Sequence, residues 1–113
     1  MVKYRLVFSD YDDTLTLPDG TITPRTTAAI KAYRDAGGIF VVCTGRSYPS
    51  VKKLLPRVYG EPHPDVPVIC YQGGLTAAAD GSVLRRVPMD REDIIRLAAM
   101  LEARGIICQT YSG

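Results

Sequence analysis

The chain has 113 residues, which is enough for one modest domain and too few for two complete ones. Its content of 46% hydrophobic and 23% charged residues is typical of a globular protein, and a net charge of +2 gives no basic surface for nucleic acid. No apolar run approaches the roughly 20 residues of a membrane span, so we expect no membrane partner.

The three cysteines, Cys43, Cys70 and Cys108, lie far apart within apolar stretches. An odd number without C-x-x-C spacing argues against a disulfide framework or a zinc site. Because the N-terminus leads directly into a predicted strand rather than a signal peptide, we expect a reducing, cytoplasmic location.

The first part of the chain alternates between apolar runs typical of buried strands and segments with helical periodicity. Thr23 is expected to cap the first helix and Pro24 to begin it, with Ala29, Ile30 and Tyr33 on the buried face. Short connections between alternating strands and helices predict a parallel sheet. In chain order the predicted elements are a strand over 3–10, a helix from Pro24 to Gly37, a strand over 39–43, a helix after Ser47 interrupted near Pro56, and a strand over 68–71.

The pattern then changes to two short β-forming runs, 75–79 and 83–87, separated by turn residues. This arrangement predicts an antiparallel hairpin. Asp90 is expected to cap a further helix, whose apolar residues recur at helical spacing and which ends at Gly105. A last strand is predicted over 106–111.

Three carboxylates, Asp10, Asp12 and Asp13, follow the first strand within four residues. Side chains alternate along an extended chain, so Asp10 and Asp12 face the same way. Two carboxylates held this close repel each other unless a cation lies between them or one keeps its proton. The spacing therefore predicts a Mg²⁺ site, an acid/base pair, or both; the simpler interpretation is that acidic residues solvate a turn or cap the next helix.

A hydroxyl residue, Thr44, follows the second strand, and Gly45 and Arg46 come directly after it. Ligands of open α/β sheets bind outside the carboxyl ends of the strands, so we expect Thr44 to face the same crevice as Asp10. The N–H groups of Gly45 and its successors, opening the second helix, would favour an anion there. Arg46 either pairs with a substrate phosphate or carboxylate or lies on the surface.

These two stretches resemble the first two motifs of the haloacid dehalogenase superfamily of phosphatases and phosphotransferases. Asp10-Tyr11-Asp12-Asp13-Thr14-Leu15 is similar to its D-x-D-G-T-[LV] motif, and Val41-Val42-Cys43-Thr44-Gly45-Arg46 is similar to its strand ending in Ser or Thr. The order of the later elements resembles the Cof-type branch. The resemblance extends along essentially all 113 residues, but it covers the amino-terminal portion of such a protein.

The resemblance implies an α/β fold, namely a Rossmann-like parallel sheet with flanking helices, followed by a β-hairpin and the start of an α+β cap. Residues 1–88 would form part of the core with the hairpin, and 89–113 would begin a truncated cap domain. It also implies a Mg²⁺-dependent phosphoric monoester hydrolase that acts on small phosphorylated metabolites through an aspartyl-phosphate intermediate.

The resemblance assigns roles to five residues. Asp10 is the nucleophile, and Asp12 is the general acid and base, whose pKa must be raised for it to donate a proton near neutral pH. Mg²⁺ would bind the carboxylate of Asp10 and the backbone carbonyl of Asp12. Thr44, Gly45 and Arg46 would bind the phosphate or the substrate.

The chain departs from the family pattern at two positions. Asp13 stands where the family usually has Gly, although Asp tolerates the left-handed conformation that the turn needs. Gln72 stands after the third strand, where Cof-type proteins more often have Asn. The Lys of the third motif and the acidic pair of the fourth are not assigned to any residue after Gln72.

Two alternative functions therefore stay open. A phosphomutase or other phosphotransferase would use the same two aspartates. A catalytically incomplete phosphate-binding or assembly module would need neither the Lys nor the acidic pair. Because one side of the first strand would be a bare apolar edge, we also predict self-association through that edge, or completion within a longer protein.

Overall fold

A computed structural model describes residues 2–111 of the chain. Within these residues there are two small sheets and four α-helices. The elements are β1 (Leu6–Ser9), α1 (Pro24–Asp35), β2 (Ile39–Val42), α2 (Tyr48–Lys52), α3 (Leu55–Tyr59), β3 (Val68–Cys70), a 3₁₀ turn (Tyr71–Gly73), β4 (Leu75–Ala77), β5 (Val83–Arg86) and α4 (Arg91–Ala103).

The parallel sheet begins with β1 and β2, which pair from Leu6 opposite Ile39 to Ser9 opposite Val42. β3 joins β2 through a single parallel bridge between Cys43 and Ile69. The other edge of β3 pairs antiparallel with β4, and β4 pairs with β5, forming the second sheet. The predicted α/β architecture and the hairpin are thus confirmed, with the third strand shared between the two sheets.

Helix α1 begins where its capping residues predict. The Thr23 hydroxyl accepts a hydrogen bond from the N–H of Thr26 at 3.2 Å, and Pro24 occupies the first turn. Ile30 is buried and Tyr33 is half-buried. Ala29 is exposed, contrary to prediction, because adjacent positions on a helix point about 100° apart and Ile30 takes the inward direction.

The second predicted helix is two short helices, α2 and α3. The break follows from Pro56, which has no N–H to donate to the carbonyl of Lys52 and whose ring would clash with that carbonyl. Accordingly α2 ends at Lys52, and Pro56 lies in the first turn of α3.

The strand predicted over 106–111 is wrong. These residues have no ladder partner among residues 2–111, and Ile107 is 98% exposed. An isolated extended segment cannot satisfy its backbone groups by strand pairing. The segment instead brings the ring of Tyr111 to 5.1 Å from that of Tyr71.

The core lies between the parallel strands and helices α1 to α3. Val42, Val51 and Cys70 are completely buried. By contrast, Leu6 and Phe8 of β1 are 47% and 57% exposed, because alternate side chains share one face of a strand and this face is not covered within residues 2–111. None of the helices in this part of the chain combines the length and apolar character needed to cross a membrane.

The entry into β2 depends on the absence of a side chain at Gly38. A Cβ atom there would overlap the ring of Tyr33, whose hydroxyl donates to the carbonyl of Tyr4 at 2.9 Å. We expect Gly38→Ala to lower the free energy of unfolding by about 1–3 kcal/mol, the usual cost of overpacking, as measured by urea denaturation. In a Tyr33→Ala background the same substitution should be nearly neutral. An equal loss in both backgrounds would show that the ring is not the cause.

Candidate active site

The carboxyl ends of β1 and β2 lie side by side because the two strands are parallel and in register. The N–H of Cys43 donates to the carbonyl of Ser9 at 2.8 Å, one residue beyond the ladder. Asp10 follows Ser9, and Thr44 follows Cys43. The expected juxtaposition of the first two motifs is therefore present.

The acidic loop after β1 is a compact turn built on one carbonyl. The carbonyl oxygen of Tyr11 accepts from the N–H groups of Thr14, Leu15 and Thr16 at 3.4, 3.0 and 3.3 Å. Asp13 has a φ of 58°, and its N–H donates to the hydroxyl of Thr16 at 2.9 Å. The turn thus accommodates Asp at the position where the family usually has Gly, as the conformational tolerance of Asp predicts.

The carboxylate of Asp10 is exposed, just after the carboxyl end of β1. Its Oδ2 accepts a hydrogen bond from the hydroxyl of Thr14 at 3.2 Å. This bond orients the carboxylate while leaving it open to solvent. An exposed, oriented carboxylate is the requirement for a nucleophile that attacks a bound ligand.

Asp12 and Arg46 form a two-pronged ion pair across the two loops. Arg46 donates from Nε to Oδ2 and from Nη2 to Oδ1, both at 2.8 Å. Its third nitrogen, Nη1, donates to the hydroxyl of Ser50 at 3.1 Å, and its guanidinium carbon lies 5.9 Å from the centre of the Tyr11 ring. The fork geometry is that of a strong charge-assisted interaction.

This pair lowers the pKa of Asp12 below its ordinary value, chiefly through the hydrogen bonds from Arg46, with its positive charge adding to the effect. The pKa of Arg46 is raised for the complementary reason. The side chains are 49% and 39% exposed, so solvent screens the interaction. The shift of Asp12 is opposite to the rise that an acid role requires.

Three hydrogen bonds hold Thr44 in place. Its N–H donates to Ile69, its carbonyl accepts from the N–H of Gln72 at 3.0 Å, and its hydroxyl accepts from the N–H of Arg46 at 3.1 Å. The residue is 1% exposed. The hydroxyl predicted to bind phosphate is therefore at the expected edge but buried.

Gly45 and the residues after it do not begin a helix, so that part of the prediction is wrong. Helix α2 starts at Tyr48 with Ser47 as its cap, because the Ser47 hydroxyl accepts the N–H of Ser50 at 3.4 Å. Gly45 is exposed, and Gln72 lies where a side chain of Gly45 would extend, with its Nε2 2.9 Å from the position that a Cβ would occupy.

Of the other groups at this site, Ser50 was not predicted from the sequence, and Gln72 was expected to face the crevice without an assigned role. Ser50 supports Arg46, and the Gln72 side chain packs on Gly45. Ser50 carries no motif that marks it. The departure from Asn at position 72 was the available signal for Gln72, but without a role attached to it.

Removal of the Arg46 guanidinium should raise the pKa of Asp12, measured by a carbon-detected NMR titration of its carboxyl group. Arg46→Met should give the full rise, and Arg46→Lys a smaller one because charge is kept while the fork is lost. Since the folded pKa of Asp12 is lowered, the pair stabilises the chain above the unfolded value of 3.8. That stabilisation is lost as the pH falls through the folded pKa. An unchanged Asp12 pKa in Arg46→Met would contradict the pairing.

Comparison with known proteins adds the family. The sequence profile of the haloacid dehalogenase-like hydrolases matches residues 7–113. The chain is 31% identical over 103 residues to 5-amino-6-(5-phospho-D-ribitylamino)uracil phosphatase YwtE of Bacillus subtilis (strain 168). This similarity covers 91% of the chain and 34% of YwtE, so the chain spans about a third of the relative's length.

The fold is also similar to solved structures. BT1666 of Bacteroides thetaiotaomicron, a phosphatase of the haloalkanoate (HAD) enzyme superfamily, superposes with a TM-score of 0.75 and 22% identity over 90% of this chain and 36% of its own. A haloacid dehalogenase-like hydrolase from B. subtilis gives a TM-score of 0.76 and 20% identity over 89% of this chain and 34% of its own. The resemblance indicated by the two motifs is confirmed. Since the family profile covers nearly all of the chain, the protein belongs to the haloacid dehalogenase-like hydrolases.

Proposed function

We propose that this chain carries the nucleophile half of a Mg²⁺-dependent phosphomonoesterase site for small phosphorylated metabolites. One observation carries the proposal. The exposed carboxylate of Asp10 lies at the end of β1, beside the loop after β2, whose Arg46 forms two hydrogen bonds with Asp12. A nucleophile, a proton-transfer group and a cationic anchor are thus combined at one sheet edge. That combination is what phosphoryl transfer through an aspartate needs.

The reaction has two balanced steps. An oxygen of Asp10 attacks phosphorus, the ester bond breaks, and the departing oxygen takes a proton from Asp12. A water molecule then gives a proton to Asp12 and attacks phosphorus, which breaks the bond to Asp10 and releases inorganic phosphate. Asp12 thereby returns to its protonated form for the next cycle.

The proton transfers require that Arg46 release Asp12. While the pair holds, the pKa of Asp12 stays low and the carboxylate has no proton to give. A substrate phosphate offers Arg46 a second anionic partner with matching oxygen geometry. Exchange of Arg46 from Asp12 to the phosphate would anchor the substrate and raise the pKa of Asp12 in the same movement.

The donor atoms fit Mg²⁺ as part of a shell. The Asp10 carboxylate is exposed, and the backbone carbonyl of Asp12 receives no hydrogen bond from residues 2–111. Both are hard oxygen ligands, and Mg²⁺ commonly keeps waters and substrate oxygens beside one or two such groups. Within the same residues no cluster of three or more acidic, His or Cys side chains is suited to a metal. When bound, Mg²⁺ would neutralise charge on the carboxylate and the phosphate.

The proposed substrate class is supported by the proposed reaction and by the printed name of one relative. YwtE is named for a phosphatase activity on a phosphorylated ribitylamino-pyrimidine. We propose a small phosphorylated metabolite as substrate, with cytoplasmic location and without nucleic acid or membrane as partner. Residues 1–88 would belong to the core with its hairpin, and 89–113 to the start of a cap.

A second candidate function is a phosphate-binding module that another chain completes. Two features of β1 favour it: its outer edge has no strand partner within residues 2–111, and Leu6 and Phe8 are exposed on one of its faces. An unpaired strand edge is a template for pairing with another chain. Self-association through this edge, or pairing with further sequence of a longer protein, would cover it. A phosphomutase would use the same aspartates and differ in transferring phosphate to a sugar hydroxyl.

The deciding experiment is Mg²⁺-dependent hydrolysis of p-nitrophenyl phosphate by the purified chain, with its oligomeric state measured by light scattering in the same buffer. We expect turnover that disappears in Asp10→Asn, and an associated rather than monomeric species. The Asp13→Asn variant is the matched control, since it removes a neighbouring carboxylate to which no step is assigned.

Turnover that persists in Asp10→Asn would overturn the assignment of the nucleophile. A folded chain that binds inorganic phosphate without turnover would favour the incomplete module. A well-behaved monomer would contradict the pairing of the β1 edge.

A further inference from the structure

The turn after β3 has an unusual backbone. Tyr71, Gln72 and Gly73 have φ values of 49°, 55° and 98°, three consecutive residues in the left-handed region. Only Gly adopts this region without a steric cost, so the two preceding residues are strained. Strained backbone persists where the surrounding structure holds it, and it is concentrated at functional sites.

The structure that holds this turn is the loop after β2. The N–H of Tyr71 donates to the carbonyl of Arg46, and the N–H of Gln72 donates to the carbonyl of Thr44, both at 3.0 Å. A third bond, from Gly74 N–H to the carbonyl of Tyr71 at 3.1 Å, closes the turn on itself. The turn is therefore fixed to the two residues that flank Gly45.

The consequence is a defined place for the Gln72 side chain. Its Nε2 and Cδ lie 2.9 and 3.2 Å from the position that a Cβ of Gly45 would take, so any larger residue at 45 would displace the carboxamide. Gln72 is nevertheless exposed. Its carboxamide thus lies against the loop after β2, the same loop whose Arg46 pairs with Asp12.

The chemistry of the amide differs from that of its neighbours. Asp10 and Asp12 present carboxylates at this edge, and Arg46 presents only donors. A carboxamide adds a donor and an acceptor without charge, which matches an alcohol hydroxyl that both donates and accepts. The carboxamide matches the phosphate itself poorly, because its carbonyl oxygen is an acceptor and the phosphate oxygens are acceptors as well.

We infer that Gln72 is a specificity-determining residue, which binds a hydroxyl of the organic group of a phosphate monoester. This inference rests on the proposed function, because it requires phosphate to bind beside Thr44 and Asp10. The strained turn positions the amide, and Gly45 makes room for it.

The test compares two ligands on an isotope-labelled chain that carries Asp10→Asn, so that no turnover occurs. Dissociation constants for inorganic phosphate and D-ribose 5-phosphate are measured with Mg²⁺ by NMR titration. Adding Gln72→Ala should weaken binding of ribose 5-phosphate by about fivefold, the value of one neutral hydrogen bond, and change phosphate binding less than about twofold. Gln72→Asn keeps the amide on a shorter side chain, so it should weaken binding of ribose 5-phosphate less than Gln72→Ala does. Gln72→Glu adds a negative charge and should weaken both ligands.

Each result decides the inference. Equal weakening of both ligands by Gln72→Ala would assign Gln72 a structural role in the phosphate loop and overturn the inference, as would no change for ribose 5-phosphate. If the unsubstituted chain keeps its fold and inorganic phosphate with Mg²⁺ does not shift the amides of residues 10–13 or 44–46, the proposed function fails and the inference falls with it. Selective loss of ribose 5-phosphate binding supports both.

Discussion

The parallel pairing of β1 with β2 is the constraint on which the candidate site depends. Each strand is only four residues long, yet the ladder and the bond from Cys43 to Ser9 set the register of the two loops that follow. A slip of one residue would turn Asp10 away from the crevice, because side chains alternate along a strand. The bridge from Cys43 to Ile69 extends the same control to the turn that carries Gln72. The loops after β1, β2 and β3 are thus positioned by a few backbone hydrogen bonds.

Charge balance at this edge explains why Arg46 pairs with Asp12. Three carboxylates in one loop repel each other, and Arg46 relieves part of that repulsion by pairing with Asp12. The pair also keeps Asp12 ionised, which is the wrong state for donating a proton. A substrate phosphate, by competing for Arg46, would couple binding to activation of the acid.

Much of this organisation could be predicted from local sequence. The cap at Thr23, the break before Pro56 and the hairpin after β3 each depend on neighbouring residues, and each is present in the structure. The juxtaposition of Asp10 with Thr44 followed from the general behaviour of parallel strands. These features can be predicted without knowing which residues far apart in the sequence come into contact.

The remaining features depend on contacts between residues far apart in the sequence. The pairing of Asp12 with Arg46 spans 34 positions, and the packing of Gln72 on Gly45 depends on three left-handed residues. The strand expected over 106–111 failed for the same kind of reason, since β-forming residues make a strand only where a partner exists. The exposed face of β1 and the half-exposed face of α4 belong to surfaces that this length of chain does not cover.

The most direct test of the central claim is chemical trapping of the phosphorylated aspartate. The folded chain is incubated with acetyl phosphate and Mg²⁺, quenched in acid and treated with borohydride, which reduces an acyl phosphate to an alcohol. Peptide mass spectrometry should then find homoserine at position 10, only when acetyl phosphate and Mg²⁺ are both present. Absence of homoserine at position 10 in a folded sample, or its appearance at Asp12 or Asp13 instead, would contradict the account.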